Sequence, residues 1–203
     1  MSRLALAWIV SLSLLAPAWG QAPAPQPMQR IPGDIVAVDG LNVQVRTRSG
    51  ETLAVKLADN YSVNAVVKID ISKIVPGSFV GTATMPQPDG TQAAIEVLLL
   101  PEARRGSGEG HYPWDLQPGS MMTNATVADI VTVDQTRRMT LRYKDGEKVV
   151  LVPPTAPIVT FEPGDRSMVK AGAHVIIGAT RQPDGSLAAS ALSVGKDGLV
   201  PPM

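Results

Sequence analysis

The chain has 203 residues, 18 lysines and arginines against 18 acids, and no cysteine. A formal net charge of zero excludes the strong positive field on which nucleic-acid and anionic-membrane binding depend. Without cysteine there are no disulfides and no thiol chemistry, so stability has to come from apolar packing.

Residues 1–20 read as a secretory signal. Arg3 is a short basic start, Leu4 to Leu15 is an apolar stretch, and Ala18-Trp19-Gly20 places small residues at −3 and −1 before Gln21. The stretch is too short to span a bilayer in comfort, and no later window reaches eighteen uninterrupted apolar residues. The expectation is a periplasmic chain, soluble after cleavage and without a transmembrane span. Cleavage removes Arg3 alone, which leaves 17 basic residues against 18 acidic ones. Residues 21–32 follow as a flexible leader punctuated by Pro23, Pro25, Pro27 and Pro32.

A first β module is expected over 33–100. Asp34 to Val38 reads as a strand, and Asp39-Gly40 as a hairpin turn. Leu41, Val43 and Val45, then Leu53, Val55 and Leu57, alternate with polar residues at the period of half-buried strands. Ile74-Val75-Pro76-Gly77 reads as a short turn. Ser78 to Met85 and Gln92 to Leu99 form a hairpin around Asp89-Gly90.

A connector over 101–125 carries Gly106, Gly108 and Gly110 on alternate residues. In an extended chain such spacing leaves one side bare for close approach. A second β module, 126–194, repeats the score of the first. Met139, Leu141 and Tyr143 alternate, Asp145-Gly146 turns, and Val149 to Val152 reads as a strand covered on both faces. A tail, 195–203, ends the chain in apolar residues that dock on the body.

The likeness of the two modules is literal in places. Gln-Pro-Asp-Gly begins at Gln87 and again at Gln182, 95 residues later; Asp34-Ile35-Val36 and Asp129-Ile130-Val131 share that offset. The expected fold is therefore all-β: two tandem five- to six-stranded OB-like barrels or curled sheets joined by the Gly-rich connector.

The succession Val38-Asp39-Gly40, an alternating strand, Lys73 to Gly81 and an Asp-Gly hairpin resembles exported proteobacterial β-module proteins of unknown function. The stretch Arg105 to Asp115 fits the same group. Relatives in it are often labelled metal ABC transporter permeases. The resemblance implies an exported, duplicated β module, and the label implies metal handling; no established site residue comes with either.

Chemistry concentrates in the connector. His111, Tyr112, Trp114 and Asp115 are the candidate ligand-binding residues, with Trp114 also read as a clasp between the modules. Glu109 and His111 are the weak metal candidates, but two histidines and no cysteine make a poor zinc set. A serine–histidine pairing of Ser107 or Ser120 with His111 is available on paper, and no nucleophile elbow, phosphate loop or dinucleotide fingerprint occurs. Arg104-Arg105 and Arg137-Arg138 are isolated basic pairs without stacking aromatics, so nucleic acid is not an expected partner. The reading that follows is a non-catalytic periplasmic binding or envelope-accessory protein, with no cofactor and with an envelope protein or small ligand as partner. A metal-handling accessory protein and an enzyme with its site at the connector are the alternatives.

Overall fold

The computed structural model describes residues 27–133 and 135–202. The expected signal segment and the start of the leader lie outside them.

The fold is all-β, and among the described residues no helix is longer than a three-residue 3-10 turn. In chain order the strands are β1 Met28–Asp39, β2 Asn42–Thr47, β3 Thr52–Lys68, β4 Phe79–Pro86, β5 Gln92–Ala94, β6 Val97–Leu99 and β7 Gly110–Pro113. They continue with β8 Met121–Val133, β9 Thr136–Tyr143, β10 Gly146–Val152, β11 Ile158–Pro163, β12 His174–Arg181 and β13 Leu187–Gly195. Strands β1, β2, β3, β13 and β12 close into a five-strand barrel through the β13–β3 pairing. Strands β4, β5, β10, β9 and β8 are linked in a second cycle through the β4–β8 pairing.

This differs from two modules each closed on its own segment. The first ring takes β1–β3 from 33–100 and β12–β13 from 126–194; the second takes the complementary set. Strand β3 is the cause. Its seventeen residues contain no proline or glycine and extend roughly 55 Å, which carries the chain out of the first ring before β4 begins. The corresponding stretch later in the chain is cut by Pro153, Pro154 and Pro157 into β10 and β11, since proline lacks the amide hydrogen a central strand needs. β11 still crosses back, so β12 forms in the first ring. The two crossing segments pair antiparallel, with Val66 opposite Phe161, its neighbour at the 95-residue offset. The parallel pairs keep that offset too: Leu187 faces Val55 as Gln92 faces Val150, and Leu192 faces Val63 as Val97 faces Ile158.

Local chemistry recurs with it. Asp70 accepts from the Ser72 amide at 2.8 Å and Asp165 from the Ser167 amide at 2.7 Å, each capping a 3-10 turn before β4 and β12. In both Gln-Pro-Asp-Gly turns the glycine takes a positive φ, 82° and 85°, and the aspartate accepts the amide two residues on.

Each ring encloses an apolar core. Ile31, Ile35, Val43, Val45, Leu57 and Ile177 lead the first; Val80, Met139, Leu141, Val150 and Val152 lead the second. A third, small core of Val66, Leu98 and Val159 fills the joint where β3 and β11 cross.

Three further expectations are corrected. Residues 28–32 of the leader are strand, paired with β12; Pro32 is tolerated because β2 pairs only from Gly33 onward. Met121–Ala125, assigned to the connector, already belong to β8. Burial on both faces falls on β4, where Phe79 to Thr84 are all buried, rather than on Val149 to Val152. The tail docks as expected: Leu199 packs at the joint, Pro201 is buried, and Arg48 donates to its carbonyl at 3.0 Å. Only glycine fits at Gly195, since a Cβ there would lie 1.6 Å from the Leu199 carbonyl oxygen.

Because each ring needs strands from both segments, a chain cut in the exposed Arg105–Gly108 turn is expected to stay together as a folded non-covalent complex. Limited proteolysis followed by size-exclusion chromatography under native conditions checks this. Two separately folded fragments would refute the exchanged pairing.

Candidate functional site

The connector folds quite differently from an extended strap. Gly106, Gly108 and Gly110 have φ of 80°, 59° and 143°, so they turn the chain rather than leave one side of a strand bare. The turns deliver β7 to the edge of β8, beyond the end of β9.

That placement separates the candidate residues. His111 and Tyr112 lie on opposite faces of β7, as neighbours in a strand must. His111 shares a hydrogen bond of 2.8 Å with the Thr123 hydroxyl through Nδ1 and stacks on Tyr143, ring centroids 6.4 Å apart. Burial, and then the charge of Lys148, holds its pKa below the ordinary value for histidine. Tyr112 accepts from Asn124 Nδ2 at 2.8 Å and meets Trp114 edge-on at 6.2 Å; burial raises its pKa, against that hydrogen bond. Trp114 and Asp115 reach across to the first ring. The Arg30 guanidinium lies 4.7 Å from the Trp114 ring centroid and pairs with the Asp115 carboxylate. A single groove lined by His111, Tyr112 and Trp114 is therefore not formed.

The other candidates also diverge. Glu109 accepts from the Lys144 amide at 3.0 Å. Ser120 donates to the Trp114 and Gln117 carbonyls. Among the described residues, no three His, Asp or Glu side chains are grouped so as to hold a metal ion. Arg104 covers the Phe161 ring and Arg105 binds Glu102 and the Gly77 carbonyl, so this basic pair is spent on the fold.

What His111 faces is more informative. Val80 pairs with Ala125 in the second core; two residues along each strand, on the same face, Thr82 pairs with Thr123. The matching cross-strand pair of the first ring is Ile177 with Ile31. Further along, Thr84 stands where the first ring has Ala179, and Gln92 where it has Leu187. All four polar residues are buried. Thr84 donates to Gln92 Oε1 at 3.0 Å. The second ring thus ends in a buried polar layer whose Thr123 is bonded to His111, itself stacked on Tyr143. The first ring is apolar at the same level. No periodicity argument could single out these threonines, because threonine is an ordinary strand residue.

A second polar cluster lies nearby. Glu96, in the break between β5 and β6, is fully buried, and neither carboxyl oxygen has a hydrogen-bond partner among the described residues. Arg30 Nη1 and Trp114 Nε1 are likewise buried without one. Desolvation pushes the Glu96 pKa from 4.5 up to about 8, against the charges of Arg30 and Arg48. Glu96 is therefore a neutral acid at pH 7.

No protein-family model, curated protein or solved structure matches the chain.

The Glu96 carboxyl binds its proton more tightly in the folded chain than in the unfolded one. Its stabilising effect is full below the ordinary carboxylate pKa and is lost as the pH rises through about 8. Denaturant melts are expected to show the Glu96 contribution to wild-type stability falling between about pH 4.5 and about pH 8 and level above that, with Glu96→Gln removing that slope. Equal slopes in both proteins would contradict the burial argument.

Trp114→Ala is expected to cost about 2–3 kcal/mol, less than a fully enclosed ring because Trp114 is only half-buried. A thermal or denaturant melt reads it; a loss near zero would mean that the tryptophan does not fasten the connector to β1.

Proposed function

We propose that the chain is a non-catalytic exported binding protein. In this reading it is an internal duplication whose halves have exchanged their last two strands, giving two OB-like five-strand barrels. The first barrel serves as scaffold. The second takes a small polar ligand, or a polar side chain of an envelope partner, at its His111 end.

One observation carries this reading: the buried Thr82–Thr123 pair, with Thr84 and Gln92, occupies positions that the first ring fills with Ile177, Ile31, Ala179 and Leu187. A buried polar layer is less favourable than a well-packed apolar one, and the first ring indicates that the framework accepts aliphatic residues there. Polar residues retained at a cost to stability point to a task other than folding. His111 is hydrogen-bonded to Thr123, while Ser120 and Glu109 bond to backbone groups, which favours binding over catalysis. Export rests on the order and size of the segments in residues 1–20.

The test installs the first ring's residues in the second. The variant Thr82→Ile/Thr84→Ala/Gln92→Leu is expected to keep the fold and to melt at the same or a higher temperature. It should no longer retain what the immobilised wild type retains from a native envelope extract. Equal retention, or a lower melting temperature showing that the polar layer is structural, would overturn the reading.

A further inference from the structure

His174 opens β12, and its Nδ1 lies 2.6 Å from Asp34 Oδ1 on β1. Arg46, opposite Asp34 on β2, is 3.8 Å from the second carboxylate oxygen. The three residues form a row across three adjacent strands. The matching row of the second ring is Phe79, Thr126 and Arg142. It has neither the histidine nor the acid, so the fold does not require them.

The row lines a cleft of about 230 Å³ whose other walls include Arg48, Val175, Val200 and Pro201. Arg48 holds the Pro201 carbonyl at 3.0 Å, which fixes the C-terminal segment as the apolar roof of the cleft. Arg46, Arg48 and His174 thus converge from β2, the residues after it and β12. Asp34 is engaged by His174 and Arg46. With Nδ1–H donating to Asp34, Nε2 is the ring atom left for a ligand, and as the imidazolium it donates to a phosphate oxygen.

His174 also borders a second cleft of about 440 Å³, where Lys170 and Lys196 add two more cations and Asp197 one acid. Lys196 is only loosely tied to Glu162, at 3.7 Å. Two adjoining clefts of excess positive charge, one small and partly roofed by apolar side chains, suit a small oxyanion with an organic group attached. Guanidinium groups are matched to phosphate by their planar donor pairs.

We infer that the chain binds a phosphate group between Arg46, Arg48 and His174, with the larger cleft taking the remainder of a phosphorylated small molecule or a lipid headgroup. This site is on the first ring and is independent of the polar layer beside His111.

The experiment titrates the full mature chain with inorganic phosphate and follows the His174 ring resonances by NMR. Saturable shifts at millimolar phosphate or below are expected. Arg48→Gln is expected to weaken binding about tenfold, the loss of one charge-assisted contact. His174→Phe, which installs the second ring's residue, should abolish binding while the melting curve shows an intact fold. Vesicles containing phosphatidylglycerol distinguish the source: binding displaced by free phosphate assigns a headgroup, and phosphate binding without vesicle binding assigns a soluble ligand. Resonances unmoved by phosphate, or folded variants that bind like wild type, would overturn the inference.

Discussion

The antiparallel crossing of β3 and β11 is the constraint on which the rest of the architecture depends. It places Val66 against Phe161 and buries Leu98 and Val159 in the joint. Each crossing strand leaves its own ring, so the strands that follow it complete the other one. Neither ring can close without the other half of the chain. Such long-range pairing ties the two cores into one folding problem, and most strand contacts here join residues far apart in sequence.

The two ends of the molecule differ chemically although their strand pairings match. The framework requires inward aliphatic residues, short capped turns and a consistent parallel register, and both rings supply them. Positions outside that requirement are free to differ. Where the first ring pairs Ile31 with Ile177 the second pairs Thr123 with Thr82, and where the second pairs Thr126 with Phe79 the first pairs Asp34 with His174. Comparing the rings with each other therefore separates what the fold demands from what a ligand would demand. That comparison needs no other protein.

The connector mediates between the rings by contact rather than by reach. Its strand β7 extends the wall of the second ring beside Thr123, and its Trp114 and Asp115 hold Arg30 of the first. Buried Glu96 senses that region through the charges of Arg30 and Arg48, although desolvation prevails over both. The surroundings of this seam are the least satisfied in polar terms among the described residues, which is the expected place for function to override packing.

Much of this was legible in the sequence. Alternation at Val43–Val45 and Leu53–Leu57 and the repeated Gln-Pro-Asp-Gly are local signals, and local signals define strands and turns. They made the all-β class, the element order and the 95-residue spacing readable. They could not say which strands pair, because an alternating strand completes either ring equally well. That choice was made by the length of β3, the prolines that split β10 from β11, and the joint they meet in. The sites were hidden for the same reason. Thr82 and Thr123, or Asp34 and His174, are far apart in the chain and ordinary in type; only tertiary pairing brings them side by side and shows that one pair is buried and the other lines a cleft.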